Sequence, residues 1–357
     1  MLISDFDFDL PDDLIASYPL KKRDQSRLLH YNLESKSIQH KKFQDISQIL
    51  NSGDILVRNV SRVLAARFYL YNPEKYTNKP VEVLLIKALN PEETKWSVLV
   101  KPAKKIKEEP SNYVLKSGDP VKVYRIKSES EENQDEFIIE FKDESHFKKA
   151  IEECGQMPIP PYFKREAEAL DKDRYQTIYA NKNSTGKSVA APTAGLHFTD
   201  EVINNLKNNG TEFIDLNLDV GIGTFKPVSA EKVADHKMHA ENYEIASADW
   251  EKILKAKADG KRIISIGTTS LRCLESIIRS GEIKGSTDIY IYPGNFEFHV
   301  IDGLLTNFHL PKSTLILLVS ALMGIPECKE MYEAAIKERY RFFSYGDCNL
   351  IIKNCPL

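Results

Sequence analysis

The stretch "VEVLLIKALNPEETKWSVLVKPA", residues 81–103, decides the fold. Apolar and polar side chains alternate on both sides of Asn90-Pro91, a turn signal, so the spacing predicts two short strands and a connection. The same period of two recurs in "DPVKVYRI" (119–126) and "EFIIEF" (136–141), with Gly118-Asp119-Pro120 as a further turn. Residues 63–141 therefore read as a small antiparallel barrel or sandwich. "SESEENQDE" (128–136) reads as a solvated hairpin loop within it.

Outward from this stretch the pattern changes. "LPDDLIASYPL" (10–20) suggests a short helix closed by Pro19, and "GDILVRNVSRVLAARFYL" (53–70) is strand-rich. Beyond Met157, helical and extended segments alternate. "DEVINNLKNNG", "ADWEKILKAKADG" and "SLRCLESIIRSG" have helical spacing, whereas "EFIDLNLDVG" and "RIISIG" read as strands. The expected fold is a large α/β domain with an inserted small antiparallel β-barrel domain. Its parts are residues 1–62 (α/β, first part), 63–150 (barrel) and 151–357 (α/β, second part).

The chain has 357 residues, a formal net charge of −3 and a pI near 6.3, a length suited to two domains or to one large domain with an insertion. The charge balance is not basic, so contact with nucleic acid has to come from local patches. Lys21-Lys22-Arg23, Lys101 with Lys104, Lys105 and Lys107, and "KERYRFF" (337–343) are such patches. The five cysteines are scattered, without Cys-x-x-Cys pairs, which suggests reduced thiols rather than a disulfide framework or a zinc site. The N-terminus lacks the pattern of a signal peptide. "TLILLVSALMG" (314–324) is roughly half as long as a membrane span and reads as a buried helix ending at Gly324. A cytoplasmic protein with no membrane association is expected.

Four polar constellations stand out. In "SVAAPTAGLHFT" (188–199), Thr199 is a good N-cap, and small residues with Gly195 would let a ligand approach the backbone near His197. In "ISIGTTSLRCLES" (264–276), Gly267 followed by Thr268, Thr269 and Ser270 at a helix N-terminus would suit a carboxylate or phosphate. A plain strand-to-helix connection with a solvated histidine accounts for the first pattern equally well, and ordinary capping is the commoner reading of the second. In "LDVGIGTFKPV" (218–228), Asp219 at a strand end is a site acid or a turn residue. His236 and His239 share a face only if helical, and the rest of a metal-ligand set is missing. Asp5, Asp7 and Asp9 mimic the start of a calcium loop, but Leu10 stands where its glycine belongs and Ala16 where its last ligand belongs. No metal is expected.

These motifs, together with "DFDFDLPDDLIASYPLKKRDQSRLL", "WSVLVKPAKKIK", "RYQTIYA", "DGLLTNFHLPKSTLILLVSA" and "YRFFSYGD", occur in an order that resembles the S-adenosylmethionine:tRNA ribosyltransferase-isomerase family of queuosine biosynthesis. The resemblance implies an enzyme that moves the ribosyl part of S-adenosylmethionine onto a 7-aminomethyl-7-deazaguanine base in a tRNA anticodon. Epoxyqueuosine, adenine and methionine would result. S-adenosylmethionine would be a co-substrate, no other cofactor is implied, and a monomer is expected.

Within the matched motifs His197, His236, His239, His309 and Asp219 are the catalytic candidates. Thr193, Gly195, Thr268, Thr269, Ser270, Arg272, Arg174 and Gln176 are substrate-binding candidates, as are Arg62, Lys101 and Arg341, which are expected to contact tRNA. The chain departs from the family pattern at Val60-Ser61, at Ala65, near Gly294-Asn295, and at Asp219, where the family has histidine. Two competing classes are a methyltransferase, which would leave S-adenosylhomocysteine, and a non-catalytic tRNA-binding paralogue.

Overall fold

The computed structural model describes residues 1–73, 80–128, 135–181, 187–221, 228 and 230–353. They form two compact units: Met1–Arg62, Pro160–Arg165 and Arg174–Leu357 in one, Val63–Ile159 and Glu166–Asp173 in the other.

In chain order the first strands are β1 (Arg27–Asn32), β2 (Ile38–Lys42), β3 (Ile55–Asn59) and β4 (Arg62–Val63). Next come β5 (Arg67–Leu70), β6 (Val81–Ala88), β7 (Lys95–Lys101), β8 (Ser111–Val114), β9 (Pro120–Ile126) and β10 (Glu136–Glu140). They are followed by β11 (Lys187–Ser188), β12 (Glu212–Leu218), β13 (Glu241–Ile245) and β14 (Ile263–Ile266). The last are β15 (Lys284–Thr287), β16 (Gly303–Asn307) and β17 (Cys348–Ile352). The helices are α1 (Glu144–Glu153), α2 (Ala169–Arg174), α3 (Asp200–Asn208), α4 (Ser247–Ala258), α5 (Thr268–Ser280), α6 (Thr314–Met323) and α7 (Ile325–Lys337).

The larger unit is built on a nine-stranded mixed sheet in the order β15-β13-β12-β3-β14-β16-β17-β1-β2. Its centre, β12-β3-β14-β16, is parallel. Alternation along each strand feeds two cores. Ile55 and Val57 of β3, Ile263 of β14 and Leu304 of β16 join the cluster that buries α4, α5, α6 and α7. Leu56, Ile264 and Leu305 join the cluster on the other face with α3, Phe43 and Ile46. The central strands are buried on both faces, which explains their near-continuous apolar sequence.

The smaller unit is a six-stranded antiparallel sheet, β5-β6-β7-β10-β9-β8. It curls until Tyr71, just past β5, exchanges both backbone hydrogen bonds with Val114 of β8, each 2.9 Å. Phe68, Val83, Leu85, Trp96, Val98, Val123 and Phe141 fill its interior, and α1 adds Phe147 and Ala150. The hairpin loop expected at 128–136 lies mostly outside the described residues.

Two local expectations meet different outcomes. "TLILLVSALMG" is a buried helix, α6, capped by the Ser313 hydroxyl accepting from Ile316 N–H and stopped at Gly324. "LPDDLIASYPL" is not a helix but a single 3-10 turn, Asp12–Leu14. Pro11 and Pro19 leave too few residues between them to offset the cost of nucleation. Among the described residues no helix is long and apolar enough to cross a membrane.

One buried ion pair ties the parallel strands together at their N-terminal ends. Arg262 donates to both carboxylate oxygens of Asp54, at 2.9 and 2.6 Å, and to the Lys353 carbonyl at 2.9 Å. Both side chains are almost wholly buried. Asp54→Ala would leave the guanidinium buried without its counter-charge, at an expected cost of about 3–5 kcal/mol of unfolding free energy. In denaturant melts the double variant Asp54→Leu/Arg262→Met is expected to recover most of that loss. Additive losses would show that the two charges are not coupled.

Candidate functional site

The parallel strands β12, β3, β14 and β16 bring their C-terminal ends to one edge of the sheet. Ligands in α/β folds bind at that edge because the loops and helix N-termini that come after the strands gather there. A cleft of about 690 Å³, including its open mouth, lies there. Val220 lines it after β12, and Gly267, Thr268 and Thr269 line it after β14. Thr306, Asn307, His309, Leu310 and Ser313 line it from the end of β16 onward. Residues 190–194 form a further wall of small side chains, and Tyr162, Leu315, Phe343 and Ser344 complete it.

The α5 wall is a consequence of its sequence. The all-buried strand β14 ends at Ile266, and Gly267 turns the chain at φ +88°, which an L side chain would resist. Helix α5 then starts with no side-chain cap, so its first amides have no acceptor from a capping side chain. With the helix dipole they favour an anion. Thr268 and Thr269 line the cleft as expected, but Ser270 is fully buried and is not on the wall.

His309 is the histidine on the wall. Its Nε2 hydrogen-bonds Thr306 Oγ1 at 3.0 Å, and its backbone N–H donates to the Tyr332 hydroxyl at 3.0 Å. Nδ1 has no partner among the described residues. Burial pushes the imidazole pKa down to about 3, so the ring is neutral at physiological pH.

His197 lies elsewhere. It ends the 3-10 turn Thr193–His197, is 4% exposed, and does not line the cleft. Its Nδ1 pairs with Ser26 Oγ at 2.8 Å, its Nε2 with Asn307 Nδ2 at 3.2 Å, and its ring packs on Phe43. Burial, then the charges of Arg23 and Arg341, push its pKa down to about 3. Because Asn307 Nδ2 donates, His197 Nε2 must accept, so Nδ1 carries the proton and donates to Ser26. Both ring nitrogens are thus engaged, and His197 borders not this cleft but a second, smaller hollow that it shares with Arg23, Ser26, Arg174 and Ser344.

The expectation for Gly195 is corrected. It is not among the positive-φ glycines, and a side chain there would collide with the Tyr179 hydroxyl at 1.9 Å. Its missing side chain makes room for Tyr179, not for a ligand, although neighbouring Thr193 does line the cleft. Arg272 does not line the cleft: it is 5% exposed, paired with Glu241 and donating to the Ile289 carbonyl at 3.1 Å. The Glu241 carboxylate also accepts the Gly221 amide at 3.0 Å.

His236 and His239 do not share a helical face, because a 3-10 turn ends at Asp235 and His236 is extended. His236 packs on Tyr290, His239 is exposed, and neither lines the cleft. Asp219 borders a separate surface hollow with Asn217, Tyr243 and Lys284. Gly223 and Thr224, in the same motif, lie outside the described residues. Among the described residues no cluster of three or more His, Cys, Asp or Glu could hold a metal ion.

Of the basic candidates, Arg62 and Lys101 are exposed. Arg174 donates to the carbonyls of Leu20 and Lys21, and Arg341 to that of Tyr18, so both brace the segment around residues 18–21. Gln176 is half-buried and does not line the cleft. Thr306, Asn307, Ser313, Tyr162, Phe343 and Ser344 line the cleft without having been singled out from the sequence. A signal was present for two of them: "LLTNFHLP" turns from apolar to polar where a buried strand ends.

A family model described as a queuosine biosynthesis protein matches residues 3–351. An S-adenosylmethionine:tRNA ribosyltransferase-isomerase from Carboxydothermus hydrogenoformans is 46% identical over 355 residues, 99% of this chain and 100% of its own length. One from Desulforamulus reducens is 45% identical over 356 residues, again 99% and 100% of the two chains. A crystal structure of an S-adenosylmethionine tRNA ribosyltransferase from Thermotoga maritima is 33% identical with a TM-score of 0.55, covering 98% of this chain and 100% of that one. With its whole length matched in sequence, the chain belongs to the queuosine biosynthesis family of S-adenosylmethionine:tRNA ribosyltransferase-isomerases.

Proposed function

We propose that this enzyme transfers and isomerises the ribosyl moiety of S-adenosylmethionine onto a 7-aminomethyl-7-deazaguanine base in tRNA, giving epoxyqueuosine-tRNA, adenine and methionine. The observation that carries this reading is the cleft at the parallel strand ends, where an uncapped helix N-terminus and a neutral histidine share one wall. The α5 amides suit the methionine carboxylate of the co-substrate.

The chemistry makes specific demands. The sulfonium acidifies the adjacent 5′ protons, which a base must take. Adenine must leave with a proton supplied to its ring. The aminomethyl nitrogen must attack as the free amine, and a ribose hydroxyl then displaces methionine to close the epoxide. His309 is assigned to proton transfer. A neutral imidazole with one nitrogen held by Thr306 has the other free to accept a proton or, as the alternative tautomer, to donate one. His197 is assigned no proton transfer, since both its nitrogens are engaged. Arg62 and Lys101 are assigned to the tRNA backbone.

The deciding experiment incubates the enzyme with S-adenosylmethionine and tRNA bearing the aminomethyl base, then separates adenine, S-adenosylhomocysteine and digested nucleosides by chromatography. Adenine and the epoxy nucleoside appearing in equal amounts is the expected result. S-adenosylhomocysteine would indicate a methyltransferase, and tRNA binding without adenine release a non-catalytic paralogue.

Replacing His309 by Ala is expected to lower kcat by about 10²–10⁴-fold with little change in the KM for S-adenosylmethionine. Because the pKa of His309 is depressed, its imidazole is already deprotonated across roughly pH 5 to 8. In that range kcat/KM should show no break from this residue. A break at about pH 6.5 in wild type, lost on His309→Gln, would contradict the neutral-imidazole assignment.

For the tRNA contacts, Lys101→Glu should raise the KM for tRNA and flatten the slope of log K against log salt by about 1. Binding of S-adenosylmethionine should not change.

A further inference from the structure

Asn307 carries the one acceptor on the cleft-wall side chains that is buried with no partner among the described residues. It is 2% exposed, ends β16 and lines the cleft. Its Nδ2 faces His197 Nε2 at 3.2 Å, the Phe343 carbonyl at 3.1 Å and the Asp347 carbonyl at 3.4 Å. Carbonyl oxygens only accept, so the amide cannot be flipped without setting oxygen against oxygen. Its Oδ1 is buried and has no partner. Such an acceptor is costly to leave unpaired and calls for an explanation.

The amide nitrogen is held by Phe343 and Asp347, which lead into β17, and by His197, which is tied to Ser26 ahead of β1. The Oδ1 branch makes no such bond. After the adjacent strand β14, Gly267 N–H donates to the Leu305 carbonyl at 2.8 Å, and Thr268 and Thr269 open α5 on the same cleft wall. An unpaired acceptor and an uncapped helix start on one wall are complementary to a zwitterion. Among its described residues the cleft wall includes no carboxylate, lysine or arginine, and its one histidine is neutral, so both ends of that zwitterion would be met by neutral groups.

We propose that Asn307 Oδ1 accepts a hydrogen bond from the α-ammonium of S-adenosylmethionine while the Thr268 and Thr269 amides hold its carboxylate, with His197 as the positioning residue for the Asn307 amide. This rests on the ribosyl-transfer reading above. His197 can do this only with a lone pair on Nε2. The chain of bonds enforces that state: Asn307 N–H to His197 Nε2, His197 Nδ1–H to Ser26 Oγ, and Ser26 O–H to the Arg23 carbonyl at 3.2 Å. A protonated ring would set N–H against N–H.

The test compares S-adenosylmethionine with an analogue whose α-amino group is replaced by hydrogen, by calorimetric binding and by initial rates of adenine release. Wild type is expected to bind the analogue about tenfold or more weakly, the effect of losing a hydrogen bond from a charged donor. Asn307→Ala should bind the two ligands alike, with a raised KM for S-adenosylmethionine. His197→Leu should lose part of the discrimination, and His197→Gln, whose Oε1 can accept the same bond, should restore it. If Asn307→Ala fails to fold, the wild-type comparison still decides. Equal binding of the two ligands by wild type would overturn the proposal, as would a discrimination that survives in folded Asn307→Ala. Wild type that binds S-adenosylmethionine with amino-group discrimination but releases no adenine would overturn the ribosyl-transfer reading and leave the Asn307 contact standing.

Discussion

Parallel pairing of β3, β14 and β16 is the constraint on which the rest depends. Parallel strands cannot be joined by tight turns, so each must leave the sheet and return by a crossover. A loop or a helix start therefore succeeds each C-terminal end, and adjacent strands place these side by side. Here the constraint juxtaposes the amides of α5, the end of β16 at Thr306–Asn307 with His309 after it, and Val220 on one cleft. The opposite ends carry the buried Asp54–Arg262 pair. One end of the sheet is closed by satisfied charge, and the other is left with neutral polar groups whose partners are incomplete.

Burial controls the chemistry of those groups. His197 and His309 are both pushed down to a pKa of about 3, for the same leading reason, yet their situations differ. His197 has both ring nitrogens committed to protein groups, which suits it to holding another side chain in place. His309 has one committed and one open on the cleft wall. A shifted pKa alone would not separate them; the number of satisfied nitrogens does.

Legibility in the sequence tracks the range of the interaction. Period-two runs revealed the antiparallel sheet, and periodic apolar residues ending at glycine revealed α3, α4 and α5, because those signals are local. The Gly267-Thr268-Thr269 helix start was readable for the same reason. The pairing of Arg272 on α5 with Glu241 on β13 was not readable, because no local spacing reports such a pair. Gly195 was misread because the atom that needs its space belongs to Tyr179. His236 and His239 have a spacing that means something only in a helix, and the chain there is extended. Asn307 carried only a weak signal, the change from apolar to polar at a strand end.

The segment 190–194 shows how one composition serves two directions at once. Its alanines, proline and threonine form a cleft wall with little side-chain bulk, so ligand-sized space is left outside. Immediately beyond, Gly195 admits Tyr179 on the inner side, and Leu196 and His197 turn inward toward Arg23 and Ser26. Thr199 then caps α3, its hydroxyl accepting from Val202 N–H and donating to Asp24 at 3.1 Å. Rigidity therefore comes in part from the residues after the small ones. Packing holds part of this wall, through Ala190 and Ala194 in the two cores. It is also held because the next five residues are anchored to the 3-10 turn at Arg23–Gln25 and to α3, and the small side chains are free to be shaped by what must fit beside them.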